Sequence, residues 1–347
     1  MTGRSPTAAE RLRWATVEQE PTLPDLGVGQ RVTHPEFHGM EFLHVRAKSL
    51  LNEVPQAAGL PFRWTINVYR GCSHACVFCY ARPSHTWLDL DAGRDFEKVV
   101  VVKVNAVERL RAELRAPKWR GDHVALGTNT DPYQRCEGRY RLTRGVIETL
   151  AEAGNSFSVL TKGTLVTRDL DIYAEAARRG VCRGVSMSIP TLDEQVWRDT
   201  EPGTPHPRAR LDAIARLSEA GIPTGVMVAP IIPGMSDDRD GLEAVVAGAI
   251  EAGASSITPI VLHLRPGVRE VFEPSLAQVR PDLLERYQQL YRGSYAPEAE
   301  RERISRLVRE LVAKHGGTRR SQVSALRGER RQPPATPEPA GEQLRLL

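Results

Sequence analysis

The sequence predicts an α/β protein whose core is a partial or complete (β/α) barrel. Segments with strand character alternate with helical segments about six times, an order that builds a parallel sheet with right-handed crossover connections. No glycine-rich dinucleotide-binding motif follows the first strand, which argues against a Rossmann fold. Polar or cysteine-rich stretches end successive strands, which is where barrels of this kind carry their active sites.

The strands are predicted from runs of β-branched and aromatic residues that end in small or polar residues. RWTINVYRG is the first of them, and IPTGVMVAPIIPG is the most apolar. A further β-branched run, VVVKVN (100–105), leads into a helical segment. In chain order the predicted barrel strands are 63–71, 122–130, 157–163, 182–189, 222–234 and 255–264.

The helices are predicted from apolar residues at helical spacing between these strands. Gly154, Gly180 and Gly221 each follow such a segment and are suited to end a helix. In chain order the predicted helices are 106–114, 142–154, 169–180, 207–221 and 237–254.

Composition divides the chain into four regions: a short N-terminal extension (1–47), a core (48–272), a C-terminal helical segment (273–317) and a tail (318–347). The tail contains QPPATPEPAGEQ, six arginines and three glutamates, and we expect it to be disordered. It carries +3 of the net charge of +4, so the rest of the chain is nearly neutral. The body charge therefore gives little indication of a nucleic-acid partner.

The composition is that of an ordinary globular protein, with 41% hydrophobic and 26% charged residues. No apolar run approaches the roughly 18 residues that a membrane span needs. The N-terminal MTGRSPTAAERLRW lacks the apolar stretch of a secretory signal. We therefore expect a cytoplasmic protein with reduced thiols, in which a local cysteine cluster indicates metal binding or catalysis.

Three of the five cysteines, Cys72, Cys76 and Cys79, lie within GCSHACVFCYAR (71–82). Zinc sites usually use four ligands, and His74 or His85 would have to complete such a set. An iron–sulfur cluster held by three cysteines instead leaves one iron without a protein ligand, free to bind a substrate or cofactor. Both alternatives remain open on spacing alone.

The stretches LGTNTD, LTKG, SMSIP and VAPIIPG fall at the carboxyl ends of the second to fifth strands. Because the carboxyl ends of parallel strands meet at one face of a barrel, we expect these stretches to surround one site with the cysteines.

The motif C-x3-C-x2-C, with Phe78 before the third cysteine, resembles the signature of the radical S-adenosylmethionine (SAM) superfamily. Several further motifs are similar to the branch labelled "DNA repair photolyase", which is related to spore photoproduct lyase. VALGTNTDPYQR and LHLRPG look most like an actinobacterial group without an assigned substrate. The resemblance extends from about residue 48 to about residue 315. The motifs that carry the branch resemblance are TINVYRGCSHACVFCYAR, GTNTDPYQRCEGRYRLTR, LTKGTLVTRDLD, TEPGTPHPRARLDAIARLSEAG and VMVAPIIPG.

The resemblance implies a 4Fe-4S cluster on Cys72, Cys76 and Cys79, and SAM bound to its fourth iron through the amino and carboxylate groups. Reductive cleavage of SAM would give a 5′-deoxyadenosyl radical that abstracts a hydrogen atom from a substrate. Phe78 and Tyr80 would pack against the adenine. An electron donor such as ferredoxin or flavodoxin would supply the electron.

The resemblance also assigns roles to residues at the strand ends. Thr128, Asn129 and Asp131 would contact the methionyl amino group, and Lys162 the SAM carboxylate. Ser188 would meet the ribose or the carboxylate.

The backbone near Ala229, on the fifth strand, would contact the adenine edge.

Each side chain also has a structural interpretation. Asp131, which precedes Pro132, could simply start a turn, and Tyr80 could be a core residue. Lys162 could be a solvated side chain after a buried strand, and Ser188 could only satisfy a backbone group.

The chain departs from spore photoproduct lyase because LGTNTD contains no hydrogen-donor cysteine. Cys136, five residues after Asp131, is the candidate for that catalytic role, although a structural cysteine is the alternative. Arg265 and Arg269 follow the last strand and could bind an acidic or phosphorylated substrate. The alternative function class is a non-catalytic iron–sulfur or zinc module that acts by binding or electron transfer.

Overall fold

The computed structural model describes residues 14–15, 30–55 and 60–317. The predicted disordered tail, 318–347, lies outside the described residues, as does most of the segment before residue 30. In the described part no helix is long and apolar enough to cross a membrane.

Two sheets organise the described residues. The strands are, in chain order, β1 (Trp14–Ala15), β2 (Arg31–Val32), β3 (Glu41–Ala47), β4 (Leu51–Glu53), β5 (Trp64–Ile66), β6 (Tyr69–Arg70), β7 (Val99–Lys103), β8 (Val124–Leu126), β9 (Phe157–Thr161), β10 (Cys182–Ser188), β11 (Thr224–Ile231) and β12 (Ser256–Val261). The larger sheet has seven strands and the smaller has five.

The helices flank and extend these sheets. They are α1 (Arg94–Lys98), α2 (Ala106–Leu114), α3 (Glu137–Tyr140), α4 (Leu142–Glu152), α5 (Leu170–Arg178), α6 (Glu194–Thr200), α7 (Pro207–Glu219), α8 (Arg239–Glu251), α9 (Arg269–Val279), α10 (Leu284–Leu290) and α11 (Glu298–Lys314). Among the described residues, three 3₁₀ helices connect neighbouring elements: Arg82–Leu88, Thr164–Asp169 and Pro281–Leu283.

The larger sheet has the order β12-β11-β10-β9-β8-β5-β4. Its pairs from β5 to β12 are all parallel, and β4 joins β5 antiparallel at one edge. The six parallel strands follow one another in chain order, so each neighbouring pair is joined by a crossover connection. This arrangement confirms the predicted α/β class and is compatible with a partial (β/α) barrel.

Burial of the crossover helices follows their apolar periodicity. Val146, Ile147 and Leu150 on α4 are buried against the sheet. Helix α11 buries Ile304, Val308 and Leu311, at i, i+4 and i+7, and packs on α8 and β12. The predicted C-terminal helices are therefore present and close one side of the larger sheet.

The smaller sheet contains the β-branched run at 100–105, which was not among the predicted barrel strands. Strand β7 does not enter the larger sheet. It pairs parallel with β3 and antiparallel with β6, which immediately precedes the cysteine loop. Every residue of β7 is buried, and an unbroken apolar run does not reveal which sheet will bury it.

Candidate functional site

A cavity lies at the carboxyl ends of the parallel strands, with about 930 Å³ of empty space including its mouth. It brings together most residues that the sequence singled out. The predicted residues on its wall are Cys72, Cys76, Phe78, Cys79, Tyr80, Asn129, Asp131, Lys162, Ser188 and Ala229.

The three cysteines of the 71–82 loop share this cavity. Cys72 and Cys76 are buried, and Cys79 is half-buried. Burial is the main cause that raises the pKa of each thiol, so all three are protonated in the ligand-free protein. Binding to iron requires thiolates and would therefore release protons.

The side chain of Arg82 fixes the shape of this loop. It is fully buried, and its Nε and Nη2 donate to the Cys76 carbonyl at 3.0 and 2.9 Å. Its Nη1 donates to the carbonyls of Ala92 and Gly93 at 3.1 and 2.9 Å. An ion pair with Glu97 balances its charge. Arg82 therefore ties the loop between Cys76 and Cys79 to the segment that follows it.

A second buried residue, Gln134, joins the cysteine loop to the loop after β8. Its Nε2 donates to the Gly71 carbonyl at 3.0 Å, and its Oε1 accepts from the Ser73 N–H at 3.0 Å. Thr130 Oγ1 also donates to the Gly71 carbonyl, at 2.6 Å. Sequence reasoning missed Arg82 and Gln134, although both lie inside quoted motifs, because nothing in the spacing shows that they turn inward.

Glycine at position 127 lets the β8 loop approach β9 closely. Its φ is +84°, and a Cβ atom built there would lie 1.8 Å from the Leu160 carbonyl oxygen. Only glycine fits both constraints. The LGTNTD loop is thereby held against the end of β9.

Asp131 connects the same two strand ends. Its Oδ1 accepts from Thr161 Oγ1 at 2.6 Å and from the Tyr133 N–H at 2.8 Å. Its Oδ2 accepts from the Lys162 N–H at 2.6 Å and lies 3.4 Å from His74 Nδ1. Burial acts to raise the pKa of Asp131, but His74 and these hydrogen bonds outweigh it, so the pKa is lowered. Asp131 is thus an ionised residue that organises the cavity wall.

The Lys162 side chain lies on the cavity wall with only 14% of its surface exposed. Its Nζ donates to Ser188 Oγ at 2.7 Å and pairs with Glu201 Oε1 at 2.6 Å. The Phe78 ring lies 5.6 Å from the same nitrogen. Ser188 Oγ in turn donates to the Ala229 carbonyl at 2.7 Å, which links the ends of β9, β10 and β11. Lys162 is therefore not the solvated lysine that was the structural alternative.

Tyr80 lies at the mouth of the cavity with 39% of its surface exposed. Its hydroxyl donates to the Thr128 carbonyl, and Arg265 donates to the Tyr80 carbonyl. The Tyr80 ring lies 6.2 Å from the His263 ring. Thr128 itself is not on the cavity wall, so it meets the site only through this carbonyl.

His85, one histidine of the zinc alternative, faces away from the cavity. Its Nε2 lies 2.9 Å from the Val99 carbonyl oxygen, and burial lowers its pKa to about 4. Among the described residues, no three His, Cys, Asp or Glu side chains are arranged to hold one metal ion. Three thiols around a cavity, without convergence on one point, fit a cluster of several irons better than one zinc ion.

The remaining two cysteines lie apart from the cavity. Cys136 is fully buried in the hydrophobic core and is not on the cavity wall. This position does not favour direct hydrogen transfer, because the thiol would have to reach a substrate through packed side chains. Cys182 begins β10, whereas the cavity adjoins Ser188 at the other end of that strand.

Arg269 also differs in position from the sequence expectation. It bonds to Glu273 at 2.8 Å and to the Tyr291 carbonyl at 2.7 Å, so it supports the fold beside α9. It is not on the cavity wall.

Comparisons with known proteins agree with the motif and the fold. Residues 66–242, about half of the chain, match the Radical SAM superfamily. An uncharacterized protein of Mycobacterium tuberculosis (strain ATCC 25618 / H37Rv) is 48% identical over 296 residues, which cover 85% of this chain and 87% of that protein. A radical SAM Nalpha-GlyT isomerase of Pseudomonas phage M6 is 24% identical over 244 residues, 64% of this chain and 48% of that protein.

Among solved structures, spore photoproduct lyase complexed with dinucleoside spore photoproduct is similar in fold. The TM-score is 0.57 at 19% identity, and the match covers 79% of each chain. The structure of a variant of that lyase with bound AdoMet, which is SAM, is similar to this chain with a TM-score of 0.56.

Proposed function

Because the chain belongs to the radical SAM superfamily, we propose that it is an enzyme that cleaves SAM with a 4Fe-4S cluster and abstracts a hydrogen atom from a substrate. The observation that carries this proposal is the placement of three cysteine thiols and the Lys162 ammonium on one cavity at the carboxyl ends of the strands. When bound, the cluster and SAM supply a 5′-deoxyadenosyl radical; the protein supplies position, charge and exclusion of water.

In this proposal Cys72, Cys76 and Cys79 hold three irons and leave the fourth for SAM. Arg82 and Gln134 are not ligands, but they keep the loop that carries the three thiols in one shape. That support matters because metal ligands depend on the hydrogen bonds around them for their orientation.

The residues at the strand ends are proposed to bind SAM. Lys162 takes the carboxylate, and Ser188 orients the Lys162 ammonium. Asn129 on the β8 loop meets the methionyl amino group.

The remaining proposed contacts surround the adenosine part. Phe78 and Tyr80 pack against the adenine, and the backbone at Ala229 meets its edge. Thr128 and Asp131 act indirectly, since the first orients Tyr80 and the second holds the loop.

Nucleic acid is the substrate class that we propose, and exposed aromatic residues with arginine neighbours support it. Trp87, Tyr80 and Tyr295 are 66%, 39% and 63% exposed. Each has an arginine guanidinium within 6 Å of its ring centre, contributed by Arg70, Arg265 and Arg301 respectively. Exposed aromatic rings interleaved with arginines are typical of single-strand nucleic-acid binding, because every base has a face that can stack.

Two of the three aromatic residues, Tyr80 and Tyr295, belong to one region of the surface. His263 lies between Tyr80 and Tyr295, with ring centres 6.2 and 5.4 Å away. Trp87 is on the 3₁₀ helix that follows the cysteine loop. Among the described residues, neither Arg265 nor Arg301 forms an ion pair with a carboxylate, so both guanidinium groups can meet phosphate.

The electron needed for SAM cleavage is proposed to come from a small redox protein such as ferredoxin or flavodoxin. The body of the chain is nearly neutral, so such a partner would have to recognise a local surface.

The test is anaerobic reconstitution followed by an assay for 5′-deoxyadenosine, with and without oligonucleotides. We expect a brown protein with about four irons per chain and SAM-dependent formation of 5′-deoxyadenosine. A colourless protein with one tightly bound zinc would contradict the proposal. A reconstituted cluster that never cleaves SAM would favour the alternative of a non-catalytic iron–sulfur module.

A further inference from the structure

The buried carboxylate of Glu201 forms an ion pair with Lys162 and is not one of the proposed SAM contacts. Its side chain is completely buried, and its Oε1 lies 2.6 Å from Lys162 Nζ. Its Oε2 lies 2.8 Å from Nη1 of Arg210, which is also completely buried. Burial acts to raise the pKa of Glu201, but Arg210 and Lys162 outweigh it and lower the pKa, so Glu201 is ionised.

The charges of these three residues do not cancel. Lys162 and Arg210 contribute two positive charges and Glu201 one negative charge, which leaves one positive charge at the cavity wall. Asp131, an ionised carboxylate on that wall, accepts from neutral N–H and O–H donors and forms no ion pair with Lys162 or Arg210 in the described part of the chain, so it is not a member of this set. A buried excess charge is unfavourable until an opposite charge arrives. The set is therefore complementary to one singly charged anionic group of a ligand, such as a carboxylate.

The hydrogen-bond count of Lys162 leads to the same conclusion. An ammonium group has three N–H donors. One is donated to Ser188 Oγ at 2.7 Å. Glu201 Oε1 lies 2.6 Å from the same nitrogen as an ion-pair partner without hydrogen-bond geometry, so it takes at most one more. The third is available to a ligand in the cavity that Lys162 lines.

Arg210 determines whether that positive charge is available. Without Arg210, the Lys162 ammonium would have to neutralise Glu201, and the pair would have no net charge to offer. Arg210 also donates to the Ser188 and Pro205 carbonyls, both at 2.9 Å, so its guanidinium is held in place from several sides. Ser188 is thus held through both its carbonyl and its hydroxyl.

The loop that carries Glu201 is attached to the cysteine loop. The Val77 N–H donates to the Thr200 carbonyl at 3.0 Å, and the Gly203 N–H donates to the His74 carbonyl at 3.0 Å. A Cβ atom at Gly203 would lie 2.2 Å from the Ser73 carbonyl oxygen, so only glycine permits this contact. The distance from the charge set to the thiols is thereby fixed.

We propose that Glu201 and Arg210 are positioning residues: Glu201 holds the Lys162 ammonium beside the cavity, and Arg210 neutralises Glu201 so that this ammonium remains free to bind the SAM carboxylate. The inference rests on the proposed function, since it names the ligand of that same site. If Glu201 and Arg210 had a purely structural role, SAM affinity would not depend on the net charge of Lys162, Glu201 and Arg210. In this proposal it does.

The test compares SAM binding by three variants of the reconstituted protein, measured from the EPR signal of the reduced cluster. Arg210→Gln leaves no net charge, Glu201→Gln leaves two positive charges, and the double variant restores one. We expect Arg210→Gln to weaken SAM binding about tenfold or more, as loss of a charge-assisted contact does. Glu201→Gln keeps a side-chain oxygen beside Lys162 Nζ and removes only the charge, so it should not weaken SAM binding. The double variant should return to within about threefold of wild type.

Two measurements separate charge balance from damage to the fold. Decarboxylated SAM lacks the carboxylate, so its affinity should change little in any variant. Arg168→Gln is the matched control, because it removes the partner of another buried glutamate, Glu137, at 3.0 Å. It should lower the melting temperature without changing SAM affinity.

An Arg210→Gln variant with wild-type affinity overturns the inference, as does a double variant that binds SAM as weakly as Arg210→Gln. If Arg210→Gln does not fold, the SAM affinity of the double variant is the test. An affinity near that of the wild type supports the inference, and a weakened affinity overturns it. Wild-type protein that reconstitutes a cluster but does not bind SAM would instead contradict the proposed function.

Discussion

Arg82 donates two hydrogen bonds to the carbonyl oxygen of Cys76, at 3.0 and 2.9 Å, from a guanidinium that is fully buried. An arginine in this position acts on the middle cysteine through the backbone and not through the thiol. The loop between the second and third cysteines therefore has a fixed shape before any cluster binds.

Replacement of Arg82 should reduce cluster binding without removing a ligand. Arg82→Gln loses several of the hydrogen bonds to the loop and leaves Glu97 without its ion-pair partner. We expect iron content after reconstitution to fall at least several-fold, since supporting contacts commonly change metal affinity by about 10–100-fold. The measurement is iron per chain with the visible spectrum. Arg94→Gln, at the start of α1, is a surface control, and full iron in Arg82→Gln would contradict the prediction.

Cys76→Ala should abolish the cluster, and Cys182→Ala should not. A lost thiolate cannot be replaced by water at comparable affinity, whereas Cys182 begins β10 at the end away from the cavity. Iron analysis and EPR after anaerobic reconstitution measure both. If Cys182→Ala lost iron as completely as Cys76→Ala, Cys182 would be a fourth ligand and no iron would be left for SAM.

Lys162→Met should weaken SAM binding by roughly 10- to 150-fold, because a charge-assisted contact contributes about 1.5–3 kcal/mol. The cluster spectrum should not change. Glu201 keeps Arg210 as a partner at 2.8 Å, so we expect the melting temperature to fall by only about 2–4 °C. Lys162→Arg, which keeps the charge, is the control. Wild-type SAM affinity in the Met variant would remove Lys162 from the site.

Tyr295→Ala should weaken binding of a single-stranded oligonucleotide by about 5- to 150-fold, the range that loss of one stacked base predicts. Tyr295→Phe keeps the ring and should bind as the wild type does. Fluorescence anisotropy with labelled oligonucleotide measures both, and duplex of the same sequence shows whether single strands are preferred. Equal binding by the Ala and Phe variants would exclude a stacking role for Tyr295.

Cys136→Ser tests the predicted hydrogen donor. Because the thiol is fully buried in the core and away from the cavity wall, we expect SAM cleavage and the product to be unchanged. Product analysis in deuterated solvent is the measurement. A change in the product with normal SAM cleavage would establish the role that the sequence suggested.

The sequence predicted the parallel strands because their apolar runs end in short polar stretches, and those stretches do surround one cavity. It did not predict that β7 belongs to a second sheet, since a strand buried on both faces has the same pattern in either sheet. Lys162 and the cysteines could be singled out from their motifs. Arg82, Gln134 and Glu201 could not, because a buried polar side chain is distinguished from an exposed one only by partners that are distant in sequence.

The sheet formed by β3, β7 and β6 has a practical consequence for shortened forms of this protein. Strand β6 ends at Arg70, immediately before Gly71, and the Cys72 N–H donates to the Phe96 carbonyl on α1 at 2.9 Å, so this sheet and α1 fix the start of the cysteine loop. The domain boundary predicted after residue 47 falls immediately after β3. A chain cut there would expose one edge of β7 to water and to other chains. A minimal version for crystallisation or engineering should therefore begin no later than residue 30, even though every cysteine of the motif lies more than forty residues further along.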